Sequence, residues 1–322
     1  MSEILDSGLA DEEASAEKEI QFEASAADED QRIDRVVTDW ISDLSRSYIQ
    51  KIIKEGNISV NDKSIKSNYK VKEGDIIRCM IPGCVEPEIL AEDIPLDILY
   101  EDEEILIVNK PKGMVVHPSA GHYSQTLVNG LLFHCKGQLS GINGVFRPGI
   151  VHRIDKDTTG SLIVCKSERA HKAIAEQLKE HSIIRKYRAI VYGNFNQESG
   201  TIDAPIGRNI HDRKKMAINE KNGKNAITHY RVLQQFQGFS YIECQLETGR
   251  THQIRVHMTS IGHPLLGDQV YGKRSSKFRL QGQCLHAMTI GFIHPTTNEY
   301  MEFSAPLPDY FTHLLHVLVE NA

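Results

Sequence analysis

Apolar residues never run more than about four in succession, far short of the roughly 20 that a membrane helix needs, so no bilayer span is encoded. The N-terminus lacks a basic start leading into an apolar stretch, and no secretory leader is expected. The cysteines (Cys79, Cys84, Cys135, Cys165, Cys244 and Cys284) are scattered and none forms a CxxC, which excludes a zinc ribbon or a thioredoxin-like motif. Free thiols in a reducing cytoplasm are the natural reading. There is no GxSxG elbow and no cysteine in a recognisable nucleophile setting, so hydrolases of those kinds lack support. Nor is there a complete phosphate-binding loop. Gly267-Asp-Gln-Val-Tyr-Gly272-Lys273 comes near one, but Arg274 stands where a Ser or Thr would hold magnesium.

What remains is ordinary globular material: 322 residues, 40% hydrophobic and 25% charged. Collagen-like, mucin-like and wholly disordered chains are excluded, and the length suits roughly two domains. The formal charge of −6 is unevenly spread. Residues 1–30 carry eleven Asp or Glu and one Lys, whereas residues 31–83 carry ten Lys or Arg and seven Asp or Glu. An acidic tail on a mildly basic body fits a nucleic-acid binder.

Residues 1–19, rich in Ser, Ala and Glu, cannot bury enough surface to offset ordering entropy and are expected to be disordered. Alternation at Ile20, Phe22 and Ala24 allows a short strand. Over 20–83 the pattern predicts a small α+β module. One helix runs from about Arg32 to Ile41, and a second is capped by Ser45 and stopped at Gly56. At 100° per residue, Tyr48, Ile49, Ile52 and Ile53 share one side of the second helix, and Arg46, Ser47, Gln50, Lys51 and Lys54 the other. Strands follow at Asn57–Val60 and Asp75–Ile81. Such a basic face is either solvated or phosphate-binding. Residues 84–95, with Pro87 and Pro95 among acidic residues, read as a linker, and 96–322 as one large α+β unit. Strands are expected at Ile105–Val108, Gly160–Cys165 and Tyr187–Tyr192, and a helix over 168–180.

Three segments bear chemistry. Gly149-Ile-Val-His152-Arg153-Ile-Asp155-Lys-Asp157-Thr-Thr-Gly160 reads as a strand entering a polar turn, with Asp155 at the strand's end. On composition alone such an Asp bonds its own backbone. His152 and Asp155 would face opposite ways, a poor chelating pair, and His252 and His257 are five apart rather than the four of a zinc-binding helix. No metal site is expected. In Glu247-Thr-Gly-Arg250-Thr251-His252-Gln253-Ile-Arg255, Thr251 is expected to cap a helix with Ile254, Met258 and Ile261 on one stripe. Arg255 has no Asp or Glu within four residues. If buried, it needs a distant partner, for which Asp155 is a candidate. Arg250 and that helix start could hold a phosphate. Arg185-Lys-Tyr187-Arg opens a strand whose tyrosine either caps the core or stacks on a base. The basic stretch 208–224, with Arg208, Arg213, Lys214, Lys215, Lys221 and Lys224, is an exposed loop or a further RNA contact.

Residue by residue these segments resemble one family. His152-Arg-Ile-Asp155 with Lys-Asp-Thr-Thr-Gly160, the Lys-Tyr187 strand, Gly249-Arg-Thr-His-Gln-Ile-Arg255-Val-His and Asn109-Lys-Pro-Lys-Gly113-Met-Val-Val-His117-Pro118 are similar to the motifs of the A-type pseudouridine synthases of the large ribosomal subunit. Residues 20–83 resemble the S4-type RNA-binding domain, which places the chain nearest the D subgroup of those ribosomal synthases. Ser161 departs from the pattern, where a bulky apolar residue is usual. The resemblance implies a small α+β RNA-binding domain followed by a mixed, mainly antiparallel sheet with flanking helices. It implies isomerisation of uridine to pseudouridine without a cofactor, in 23S rRNA at helix 69 or in the assembling large subunit, by a cytoplasmic monomer. Asp155 would be the essential carboxylate, attacking covalently or taking a ribose proton. Arg255 would pair with it and Tyr187 would stack on the uracil. Arg153, Arg250, His252 and Gln253, with Arg46, Lys51 and Lys54 of the small domain, would bind substrate. A catalytically silent RNA-binding module is the first rival. A nucleoside glycosidase is the second, and it needs another carboxylate, for which only Asp157 is near.

Overall fold

The computed structural model describes residues 18–41, 44–81, 89–119, 122–142, 147–210, 212, 215–272, 278 and 280–320. The chain divides into two compact units, with the boundary after residue 87.

In the first unit strands β1 (Lys18–Glu23), β2 (Ile58–Val60), β3 (Lys63–Ser64) and β4 (Ile76–Ile81) form an antiparallel sheet in the order β1-β4-β2-β3. Lys18 and Glu19 therefore belong to a strand rather than to a disordered tail, because β1 runs along β4 from Lys18↔Ile81 onward. The rest of the expected tail lies outside the described residues. Helices α1 (Ile33–Trp40) and α2 (Arg46–Lys54) form where expected. The Ser45 hydroxyl accepts from the Tyr48 N–H and so caps α2. Ile33, Val36 and Val37 of α1 meet Ile49, Ile52 and Ile53 of α2 over Ile58, Val60 and Ile77 of the sheet. Lys51 and Lys54 stay exposed.

Arg46 does more than face solvent. It pairs at 3.1 Å with Asp34, whose carboxylate is fully buried on α1 and is also held by Arg32 and Gln50. A buried carboxylate requires such partners, so Arg46 joins α2 to α1.

The second unit is built on a nine-stranded sheet. Strands β5 (Ile98–Glu101), β6 (Ile105–Lys110), β7 (Thr159–Cys165), β8 (Ile184–Tyr192), β9 (Ser199–Asp203), β12 (Ile227–Phe236), β13 (Phe239–Leu246) and β14 (Leu285–Ile293) run in the order β5-β6-β7-β14-β8-β13-β12-β9. β15 (Tyr300–Ser304) adds to β14. The β7–β14 pairing is parallel and the other pairings are antiparallel. β10 (Ile206–Arg208) and β11 (Met216–Ile218) make a separate hairpin from the basic stretch. Arg213 and Lys214 lie outside the described residues.

Helices cover both faces, which explains the continuous apolar runs of β6 and β7. Leu106, Val108, Leu162 and Val164 face α3 (Leu127–Cys135) and α5 (Gln253–Ser260), whereas Ile105, Ile107, Ile163 and Cys165 face α4 (Glu168–Lys179). Further along that second face, Ile190 packs with Phe311, Leu314 and Leu318 of α6 (Asp309–Glu320). Residues 89–95 do not behave as a free linker. Ile89 is buried in the larger core, and Glu92 bonds Asn129 and Gln125.

Candidate active site

Asp155 does not end a strand. Residues 151–155 are irregular backbone, and the regular strand, β7, begins only at Thr159. The Asp155 carbonyl accepts from Thr158 N–H, closing the turn that leads into β7. The same turn is clamped by Lys110, at the end of β6. Its side chain is fully buried, and its ammonium donates to the carbonyls of Pro111, Met114 and Lys156 at 2.9, 2.8 and 3.0 Å. Gly160 follows with φ +109°, and a Cβ there would stand 2.2 Å from the Ala287 carbonyl oxygen of β14. His152 accepts from Ile163 N–H through Nε2. Burial pushes its pKa down to about 3, which keeps it neutral. Ser161, the one departure from the family pattern, donates to the Ala287 carbonyl at 2.8 Å and fits without a void-filling side chain.

Arg255 approaches from α5. Its Nη1 reaches Asp155 Oδ2 at 2.9 Å across one hundred residues of sequence, the pairing expected from its lack of local acids. A second partner was not foreseen. Asp268, with a fully buried carboxylate, accepts from Nε at 2.7 Å and from Nη2 at 3.0 Å. Asp268 Oδ1 also accepts from the backbone N–H groups of Val270 and Tyr271. It lies within the segment that fails as a phosphate loop. The sequence signalled only that Arg255 lacks an acid within four residues, and nothing in it points to Asp268. Despite burial, the two carboxylates hold the Arg255 pKa above its ordinary value. Against the same opposition, Arg255 holds Asp268 below the usual carboxylate range.

The helix start differs from expectation. The N-cap is His252, in the left-handed region with φ +58°, and not Thr251. Gln253 takes over the satisfaction of this turn. Its Oε1 accepts from Thr248 Oγ1 and Arg250 N–H, and its Nε2 donates to the Ile227 carbonyl and Thr228 Oγ1. Gln253 lines the cavity, and its side-chain hydrogen-bonding capacity is used within the protein. Ile254 and Met258 are buried as expected, but Ile261 is 39% exposed because α5 ends at Ser260. His252 Nε2 stands 3.9 Å from Asp155 Oδ1, and its Nδ1 bonds the Tyr271 hydroxyl at 2.8 Å.

Tyr187 and Arg185 alternate with Lys186 along β8 and are both buried on the cavity side. They line a cavity of about 510 Å³ with Arg153, Ile154, Asp155, Arg250, His252, Arg255 and Leu285. Among the described residues Asp155 is the one carboxylate that lines the cavity, and Asp157 does not line it. Arg153 Nη1 bonds His117 Nε2 at 3.1 Å, and burial together with the neighbouring guanidiniums lowers the His117 pKa to about 4. Arg250 Nε donates to the Asn225 carbonyl. Among the described residues no group of three or more His, Cys, Asp or Glu is placed to hold a metal ion.

The family model for RNA pseudouridylate synthases matches residues 104–260, and that for S4 domains matches residues 31–77. The chain is 50% identical over 303 residues to a Bacillus subtilis protein described as an uncharacterized RNA pseudouridine synthase, YlyB, covering 94% of this chain and 99% of that one. The chain belongs to the RNA pseudouridylate synthase family. It is an RNA-isomerising enzyme with an appended S4 domain. The ribosomal large subunit pseudouridine synthase D of Zymomonas mobilis is 48% identical over 299 residues, 89% of this chain and 94% of its own. Of solved structures, human RNA pseudouridylate synthase domain containing 1 matches with a TM-score of 0.54 at 27% identity, covering 71% of this chain and 96% of its own. Human domain containing 4 matches with a TM-score of 0.56 at 25% identity, covering 69% and 93%.

Proposed function

We propose that this synthase modifies uridines of 23S rRNA, in helix 69, and acts in the cytoplasm. The identities of 43–48% to large-subunit synthases D over most of the chain support the ribosomal substrate. The choice of helix 69 follows from the subgroup resemblance.

One observation carries the chemical reading: a lone lining carboxylate, Asp155, ion-paired to a buried arginine in the cavity that Tyr187 lines. Arg255 pairs with Asp155 at 2.9 Å and aims its carboxylate. A uridine flipped out of its stack would enter this cavity and place its ring on Tyr187. Asp155 then either attacks C1′ or removes a ribose proton. In both routes the N1–C1′ bond breaks, C5 bonds C1′, and the C5 proton is lost as N1 gains one. Arg153 and Arg250, at the cavity wall, meet the RNA backbone, and exposed Lys51 and Lys54 of the S4 unit add sequence-independent contacts. A glycosidase is disfavoured because, among the described residues, no second carboxylate lines the cavity.

The test uses 23S rRNA tritiated at uridine C5. Wild type should release tritium, Asp155→Asn should bind the RNA without releasing it, and removal of helix 69 should abolish release. Binding by both proteins with release by neither would leave an RNA-binding module in its place.

A further inference from the structure

Arg185 is the unexplained charge of the cavity. It is 7% exposed. Its Nη2 donates to the Glu247 carbonyl at 2.7 Å, and its Nε has no hydrogen-bond partner among the described residues. Beyond its burial, the groups that bear on it are the Tyr187 phenol and another cation, Arg250. Among the described residues it enters no ion pair, whereas Arg255, equally buried, faces two carboxylates. A buried guanidinium without an anion is costly, and such a group lining a site is poised for negative charge that arrives there.

The position of Arg185 says which charge. It lies two residues before Tyr187 on the same face of β8, about 7 Å along the strand. Gly249 makes the room, because a Cβ there would stand 2.7 Å from Arg185 Nη1. Arg185 is thus deep beside the tyrosine ring, where a flipped base would lie. Arg153 and Arg250 expose more of their side chains and are the better placed for phosphates.

Resting on the reading above, we infer that Arg185 binds the uracil anion formed when the glycosidic bond breaks. The N1–C1′ electron pair leaves with N1, so uracil departs with a negative charge shared over its ring and O2 and O4. That charge exists only after Asp155 has bonded C1′ or taken the ribose proton, and it is consumed when C5 forms its bond to C1′. The neutral base of the ground state gains little from Arg185, whereas the developing anion gains much. A preorganised donor of this kind typically changes kcat on the order of 100-fold.

Two ligands test this without turnover. 5-Nitrouracil is anionic near neutral pH, and thymine is neutral and similar in size. Wild type should bind 5-nitrouracil about 10-fold more tightly. Arg185→Gln should lose that preference, and Arg185→Lys should keep most of it. On C5-tritiated rRNA, Arg185→Gln should lower kcat with KM unchanged, and Lys should restore part of the rate. Equal binding of the two ligands by wild type overturns the inference, as does a Gln variant that changes KM alone, the mark of a phosphate contact. If the Gln variant does not fold, the wild-type preference and the Lys variant decide. Absence of tritium release from wild type would instead defeat the rRNA reading and leave the ligand comparison standing.

Discussion

Asp268 holds Arg255 through two guanidinium nitrogens, at 2.7 and 3.0 Å, and leaves Nη1 to reach Asp155 at 2.9 Å. The planar fork is thereby locked in rotation, so the carboxylate proposed to react has one orientation. Asp268 is itself fixed by the N–H groups of Val270 and Tyr271. Asp268→Asn preserves shape but removes one charge from a buried ion cluster. It should lower kcat by 10- to 100-fold, as loss of an outer partner does at other sites, with RNA affinity unchanged. It should also cost about 3 kcal/mol of stability. Tritium release and denaturant unfolding measure the two effects. An unchanged kcat would show that Asp155 alone positions Arg255.

A proton assignment follows from Tyr271. Its hydroxyl oxygen accepts from Met216 N–H at 2.8 Å and lies 2.8 Å from His252 Nδ1. With the hydroxyl donating to Nδ1, the neutral ring would carry its own proton on Nε2, facing Asp155. Burial lowers the His252 pKa and favours this neutral form. Tyr271→Phe retains the ring 5.0 Å beneath the Arg255 guanidinium but frees the tautomer. The expected result is a kcat lower by about 10-fold, with KM little changed. A ¹⁵N spectrum of His252 should show Nε2–H in wild type and a mixture of tautomers in the variant. The wild-type spectrum showing Nδ1–H would end this assignment.

These pairs divide what was legible in the sequence from what was not. α2 was readable because its cap, its apolar stripe and its stop at Gly56 are local, and β6 and β7 because burial on both faces leaves continuous apolar runs. The need of Arg255 for a distant partner was readable, since it has no acid within four residues, and the family resemblance pointed to Asp155 among the candidates. Asp268 was not, because its loop has no period and its role exists only once α5 is packed. The pairing of Arg46 with Asp34 was hidden for the same reason, because Asp34 sits on another helix. Thr251 lost the cap to His252 because Gln253 already satisfies the turn. The parallel β7–β14 pairing joins residues far apart in the chain and leaves no local mark.

That pairing depends on Gly160. Its φ of +109° and the 2.2 Å approach of a would-be Cβ to the Ala287 carbonyl exclude any side chain. Gly160→Ala must part β7 from β14 or twist the turn that carries Asp155. A loss of about 3 kcal/mol or more is expected, from overpacking and left-handed strain together. Denaturant unfolding should show it, and tritium release at low temperature should fall even where the variant is folded. A stability within error of wild type would mean that the two strands can separate freely.

The small unit has its own reporter, because Trp40 is the only tryptophan in the chain and its ring packs 4.1 Å from Phe22. In the same unit the Arg32 hydrogen bond, reinforced by Gln50 and Arg46, outweighs burial and holds the Asp34 pKa down to about 2. A depressed carboxylate stabilises the fold above its unfolded-state value near 4, and that contribution fades as pH falls through 2. The shift corresponds to about 2 kcal/mol at neutral pH. Asp34→Asn should therefore unfold the Trp40 region at lower denaturant at pH 7, by at least about that amount, since Arg32 and Arg46 lose their shared anion. The gap between the two proteins should close as pH drops from 4 towards 2, because a protonated Asp34 and the neutral amide that replaces it are then equivalent. A gap independent of pH would assign the stability to shape and hydrogen bonding rather than to charge.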